Sequence, residues 1–214
     1  MPDLTLSFDN GPEPSVTSAV LDILAARGVR ATFFVVGQKA ATPEGQALCR
    51  RAHEEGHWIG NHTWSHATPL GDLSEAGAAA REIALAQRVV EPFAHPLRLF
   101  RPFGGGGHLD RRLLNREALK ALCEGGYSCV LWNAVPRDWV DPDGWCDVAL
   151  RQIAQRPWTL MVLHDLPSGA MAHLDRFLAA ATDAGARFRH EIPPDCMPIR
   201  SGEIVGDLDE LVSD

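Results

Sequence analysis

Short β-rich runs alternate with longer amphipathic stretches along most of the chain. Leu4 to Phe8 reads as a strand. A Gly11-Pro12-Glu13-Pro14 turn follows it, and then Val16, Val20, Ile23 and Leu24 recur at helical spacing. Gly28 stands where a helix places its terminal left-handed residue. Ala31 to Val36 is the second strand, and Thr42-Pro43 supplies an N-cap and a first-turn proline for a helix that Gly56 closes. A third strand is expected at Trp58 to His62, a helix from Ser74 to about Val90, a strand at Leu97 to Phe100, and a helix capped by Asp110 and reaching Leu122. Cys129 to Trp132 reads as a strand, Trp145 to Ile153 as a helix, Leu160 to Leu163 as a strand and His173 to Ala184 as a helix. A weaker strand or two is expected from Phe188 onward.

Repeated β-α order predicts an α/β fold with a parallel sheet covered by helices, organised as one domain over residues 1–214. A barrel-like (β/α) arrangement is preferred to an open sheet because polar residues end several different strands. Asp9 and Asn10 follow the first, His62 and His66 the third, Arg101 the fourth, Asp138 the fifth and His164-Asp165 the sixth. Strand carboxyl ends form the functional face of such folds, and a barrel collects them around a ring.

Composition narrows the function. Twenty Lys and Arg against 28 Asp and Glu give a net charge of −8, and no long basic run occurs, so a nucleic-acid or anionic-membrane partner is not expected. No apolar run is long enough to span a bilayer. The five cysteines are scattered and never spaced as C-x-x-C, which suits a reducing compartment rather than a zinc ribbon or a disulfide framework. With an N-terminus that enters strand-like alternation directly, a cytoplasmic location is expected.

Taken singly, the polar groups have ordinary explanations. Two histidines four apart, His62 and His66, can reach one metal ion, yet such pairs also occur on solvated surfaces. Asp9-Asn10-Gly11-Pro12 alone reads as an Asx turn. Asp141 and Asp143 read first as a turn before a helix, and His53, His95, His108, His173 and His190 as solvated or capping groups. Of the six tryptophans, Trp64 and Trp139 stand beside candidate site residues, whereas Trp58, Trp132 and Trp158 suit core or sheet-end packing.

Their order along the chain is the stronger signal. Ser7-Phe8-Asp9-Asn10-Gly11-Pro12, His62-Thr63-Trp64-Ser65-His66, Phe100-Arg101-Pro102, Asp138-Trp139 and Val162-Leu163-His164 follow one another as five motifs. This set resembles the polysaccharide deacetylase (NodB-homology, carbohydrate esterase family four) pattern T-F-D-D-G-P, H-S/T-x-x-H, R-x-P-Y, D-x-x-D-W and L-x-L-H. Ala31-Thr32-Phe33-Phe34-Val35-Val36-Gly37 and the lead-in Glu55 to Asn61 resemble the family's second strand and the approach to its second motif. The likeness spans roughly residues 4 to 190.

The resemblance implies a distorted (β/α) barrel and a hydrolase that removes an acyl group, acetyl above all, from the nitrogen of an N-acetylated sugar or oligosaccharide. It implies Asp9 as base, His164 as acid, Arg101 as the partner of the base and Asp138 as the group that tunes the acid. His62, His66 and Asn10 are implied as ligands of a divalent metal, with zinc the expected ion. Trp139 and Leu163 would wall an acyl pocket, and Gly104 and Gly105 would supply backbone amides to the substrate.

Two departures carry consequences. Asn10 stands where the family has its ligating aspartate, so the donor set is neutral and weaker binding of the ion is expected. Phe103-Gly104 replaces Pro-Tyr in the third motif, and a glycine amide donates to an oxyanion as well as any other. Gly104 to Gly107 reads either as a nest of amides or as a loose turn. Two rival readings stay open: a metal-independent amidohydrolase on a small cyclic or ureido compound, of the allantoinase type, and a catalytically silent carbohydrate-binding relative. The oligomeric state is not legible.

Overall fold

The protein was analysed as a computed structural model, which describes residues 1–213. In chain order the elements are β1 (Asp3–Asp9), α1 (Thr17–Arg27), β2 (Thr32–Val35), α2 (Gly37–Ala40), α3 (Pro43–Glu54), β3 (Trp58–Asn61), α4 (Ala78–Val90), β4 (Leu99–Phe100), β5 (Leu114–Asn115) and α5 (Arg116–Glu124). They continue with β6 (Ser128–Cys129), α6 (Trp145–Ala154), β7 (Trp158–His164), α7 (Leu174–Asp183), β8 (Arg187–Arg189), β9 (Ile199–Arg200), β10 (Glu203–Ile204) and β11 (Val212–Ser213).

The main sheet runs β10-β9-β6-β4-β3-β2-β1-β7, with β8 pairing the start of β1. Every pairing from β6 to β7 along this path is parallel, as the β-α alternation predicts. The sheet curls on itself. After β6 the chain reaches β7 through a parallel bridge between Ala134 and Met161, and the Val162 amide donates to the Ala134 carbonyl at 3.0 Å. The barrel is thus distorted: one seam is held by a bridge instead of a full ladder.

Alternate faces of the strands do different work. Leu4, Leu6 and Phe8 of β1 pack with Val20, Leu21 and Leu24 of α1 and with Phe177 and Leu178 of α7 in the largest apolar cluster. Thr5, Ser7 and Asp9, the intervening residues, face the barrel interior, where Ser7 and Asp9 meet Arg101.

Several predicted boundaries move, each for a physical reason. Thr42 caps α3 through a bond from the Gly45 amide at 3.0 Å, as expected. The helix expected from Ser74 starts only at Ala78, because Gly77 holds a left-handed φ of 82°. Asp110 caps a turn, accepting from the Arg112 amide, and α5 is capped instead by Asn115. Pairing of Leu114 with Val212 of β11 draws this stretch into extended form ahead of the helix. The strand expected at Cys129 to Trp132 leaves its ladder early, where the Val130 and Leu131 carbonyls accept from Arg101.

Candidate active site

The strand ends converge as the sequence pattern requires. In the parallel β1–β7 pair Asp9 and His164 are register partners, so a carboxylate and an imidazole stand side by side at the barrel mouth. Both line a cavity of about 200 Å³ with Asn10, His62, His66, Phe103, Gly104, Trp132, Trp139 and Val162.

Behind Asp9 lies Arg101, wholly buried. Its Nη1 donates to Asp9 Oδ1 at 2.8 Å and to Ser7 Oγ at 2.7 Å, while Nε and Nη2 donate to the Val130 and Leu131 carbonyls. The guanidinium carbon also lies 4.0 Å from the centre of the Phe34 ring. Burial pushes the Asp9 carboxyl up, but the charge and hydrogen bond of Arg101, aided by His164, overcome it and hold the group below the usual carboxylate range. Asp9 therefore stays ionised at neutral pH.

His164 is paired differently. Asp138, fully buried, accepts from its backbone amide and its ring Nδ1, both at 2.9 Å. With Nδ1 carrying that proton, Nε2 is the ring's other nitrogen for chemistry. Burial pushes this imidazole down, yet the Asp138 hydrogen bond and charge, aided by Asp9 and Asp165, push harder, so its pKa stands above the ordinary histidine value. Trp139 packs edge-on against it, ring centres 4.6 Å apart.

His62 and His66 form the third group. The β3–α4 loop that carries them is pinned from three sides. Glu82 of α4 accepts from the Trp64 and Ser65 amides, Asn61 accepts from the Thr63 amide, and the Gly37 amide donates to the Thr63 carbonyl. The His62 Nδ1 hydrogen goes to the Arg101 carbonyl at 2.8 Å, which leaves Nε2 as a lone pair 3.7 Å from Asp9 Oδ2. Two acceptors facing each other call for a cation or a donated hydrogen between them. Burial keeps both rings neutral, lowering His62 and pushing His66 down to about 3.

These residues fit a divalent cation. The Asn10 carboxamide oxygen is buried with no hydrogen-bond partner, on a residue that is held at a left-handed φ of 75° and lines the same cavity as the two imidazoles. Neutral imidazoles and a carbonyl oxygen are suitable donors for zinc. Among the described residues no group of three or more His, Cys, Asp or Glu is placed to hold a metal, and the Asn10 amide is the unpartnered oxygen on the cavity-lining residues.

Three sequence expectations need correction. Leu163 does not wall the cavity: one residue from His164 along β7, it points to the opposite face and packs in the outer core, and Val162 takes the inner position. Gly105 lies outside the cavity beside the Arg112 guanidinium, whereas Gly104, Gly106 and Gly107 line it. Trp64, beside the motif histidines in sequence, packs on Gly37 and not in the cavity; Trp132 packs in the core as expected and also lines the cavity, its Nε1 donating to the Gly107 carbonyl at 3.1 Å. The glycine run is an ordered turn, and Gly104 is required there because a Cβ would overlap the Trp132 indole. Ser7, Asn61, Glu82 and Asp165 were not singled out for roles. Ser7 inside the first motif, Asn61 in the lead-in to the second and Asp165 beside the last carry local signal, and Glu82 carries none.

A buried carboxylate–guanidinium pair and a carboxylate-backed imidazole facing one cavity are the equipment of a hydrolase that directs water onto an acyl carbon. The comparisons specify which one. The sequence profile of the polysaccharide deacetylase family matches residues 2–129, and the chain belongs to that family. It is 34% identical over 182 residues to a chitooligosaccharide deacetylase of Sinorhizobium fredii, covering 81% of this chain and 77% of that protein. It is 33% identical over 141 residues to a peptidoglycan-N-acetylglucosamine deacetylase of Bacillus cereus, covering 65% and 61%. The solved family 4 acetyl xylan esterase from Clostridium thermocellum, in complex with a cobalt ion, superposes with a TM-score of 0.69 at 27% identity, covering 87% of this chain and 86% of that one.

Proposed function

We propose that the protein hydrolyses the acetyl–nitrogen bond of an N-acetylated amino sugar, with Asp9 as base and His164 as acid. The observation that carries this reading is the placement of the two groups on paired strand ends, facing one cavity, each with its own buried partner.

Asp9, kept ionised by Arg101, takes a proton from water as its oxygen attacks the acetyl carbon. Negative charge gathers on the acetyl oxygen, and Gly104, with no side chain to obstruct the approach, offers a backbone amide at the cavity wall. His164, its Nδ1 hydrogen held by Asp138, presents Nε2 to the sugar nitrogen and donates a proton as the C–N bond breaks. Acetate and a free amine leave. Trp139, Trp132 and Val162 give the acetyl methyl and the sugar ring apolar surfaces.

His62, His66 and Asn10 would hold the metal, zinc being our assignment. Such an ion supplies Lewis acidity to the acyl oxygen and makes water a better nucleophile. A donor set with no formal negative charge supports weaker retention than an aspartate would give. The five unpaired thiols support a reducing, cytoplasmic compartment. There a soluble or lipid-linked oligosaccharide is a more accessible substrate than an external polymer.

The test is acetate release from N-acetylated chitooligosaccharides, with zinc determined in the purified protein. The expected result is turnover that Asp9→Ala and His164→Ala each reduce by about 10³-fold or more. Activity that survives complete chelation would favour the metal-independent amidohydrolase. Sugar binding without turnover, unaffected by Asp9→Ala, would favour the silent relative.

A further inference from the structure

One buried acid takes no direct part in the chemistry above, beyond the charge it lends to His164. Asp165, next to His164 at the end of β7, is fully buried and points away from the cavity toward the β1–α1 turn. Its Oδ2 accepts from the Thr17 hydroxyl of α1, and that hydroxyl in turn accepts from the Glu13 amide at 2.7 Å. Its Oδ1 is buried with no partner. The carboxyl packs flat against Gly11, and a Cβ on Gly11 would overlap both of its oxygens. On the other side of the turn, the Gly11 carbonyl accepts from the Val36 amide at 2.9 Å. Gly11 is thus gripped between the end of β2 and the Asp165 carboxyl, and the residue before it is Asn10, held at a left-handed φ of 75° and lining the cavity.

We propose that Asp165 is a positioning residue: through Gly11 and Thr17 it fixes the turn that presents Asp9 and Asn10, locking the base-bearing strand end to the acid-bearing one. An apolar side chain of similar size would fill the same space without the bond to Thr17, and a smaller one would release Gly11. Burial outweighs the Thr17 bond and the charges of Lys39 and His164 and pushes the Asp165 carboxyl up to about 7, so an amide of the same shape is a conservative substitute. The inference rests on the proposed function for its consequences in activity and metal binding, and on geometry alone for the grip on Gly11.

Three readouts on Asp165→Ala and Asp165→Asn test it: hydrogen exchange at the Val36 amide, zinc titration of the metal-free protein, and steady-state kinetics on an N-acetylated chitooligosaccharide. Asp165→Ala is expected to speed Val36 exchange, raise the zinc Kd about tenfold and lower kcat about 10- to 100-fold with KM nearly unchanged, the range set by outer-sphere support of metal sites. Asp165→Asn should restore all three toward wild type. A lower Tm for Asp165→Ala with Val36 exchange, Kd and kcat unchanged overturns the proposal, because the acid would then merely fill space. If Asp165→Ala does not fold, Thr17→Val removes the same hydrogen bond from the other side and is held to the same criteria. Wild type that takes up no zinc would sink the metal assignment, and wild type that releases no acetate would sink the function. In either case Val36 exchange and the remaining readout still decide for Asp165.

Discussion

Imidazoles are buried or half-buried at both ends of this barrel, and the two ends treat them differently. At the mouth, His62, His66 and His164 surround the cavity. At the opposite end, His57, His95 and His190 cluster around the start of β2 and β3. His95 and His190 sit against Trp58 at ring-centre distances of 4.3 and 3.8 Å, and His57 is edge-on to Phe33. Five of the six rings are lowered by burial. Only His164 goes the other way, because only His164 has a buried carboxylate accepting from both its ring and its backbone. Burial alone therefore makes a neutral, structural or ligating histidine, and a buried acid behind it makes a proton donor.

The largest expected effect comes from removing the positive charge at the mouth. Arg101→Met leaves the Asp9 carboxylate in a cavity wall with its main counter-charge gone and strips two carbonyls and Ser7 of their donor. Breaking one partner of a buried pair costs about 3–5 kcal/mol, so denaturant melts should show a loss of that size. The Asp9 pKa should rise as burial goes unopposed, and turnover at neutral pH should fall. Arg101→Met combined with Asp9→Asn should recover part of the stability and none of the activity. A double variant no more stable than Arg101→Met would show that the carbonyl and Ser7 bonds, not the charge pair, carry the cost.

Asp138→Asn comes next and converts the exceptional histidine into an ordinary one. An amide still accepts one hydrogen bond but brings no charge, so His164 loses its chief raising influence and burial lowers it as it lowers the others. The proton that His164 must donate is then lost at lower pH. The basic limb of the kcat/KM profile should shift to lower pH, and activity at pH 7–8 should fall about 10²-fold. An unshifted limb would mean that Asp138 serves only to orient the ring.

How much of this was readable before the structure depends on where each partner sits along the chain. Asp9, His62, His66, Arg101, Asp138 and His164 stand out because they end strands in a fixed order, and strand ends are identified by local alternation. The face of β7 was readable too: period-two geometry puts Val162, not Leu163, beside His164, and the motif likeness obscured this. Beyond local reach lie the contacts of Glu82 with the Trp64 and Ser65 amides and of Val212 with Leu114. No short-range pattern indicates that an exposed-looking glutamate on α4 will hold a loop 17 residues earlier. Nor does one reveal that a strand at the far end of the chain will delay α5 by pairing with β5.

The smallest effect tests the far end of the barrel. His190 is pushed down to about 4, chiefly by burial and against the hydrogen bond it donates to the Ala31 carbonyl, with His57, Arg30 and His95 adding to the lowering. In the unfolded chain a histidine titrates near 6.5. Above that value neither state binds the proton and the residue costs nothing. As the pH falls from about 6.5 toward 4 the unfolded chain gains a proton that the folded one refuses, so stability declines through this window. His190 is only partly enclosed, which reduces its share to about 1 kcal/mol once solvent screening is allowed for. His190→Phe keeps a ring against Trp58 and cannot titrate, so the difference in Tm between wild type and variant should grow in the variant's favour from pH 7 to pH 4.5. Asp9, a carboxylate held below its usual range, contributes its own acid lability only as the pH falls below that range, so the two ends of the barrel separate on the pH axis. A difference that stays constant with pH would show that Trp58 and His190 pack equally well whether or not the imidazole is charged.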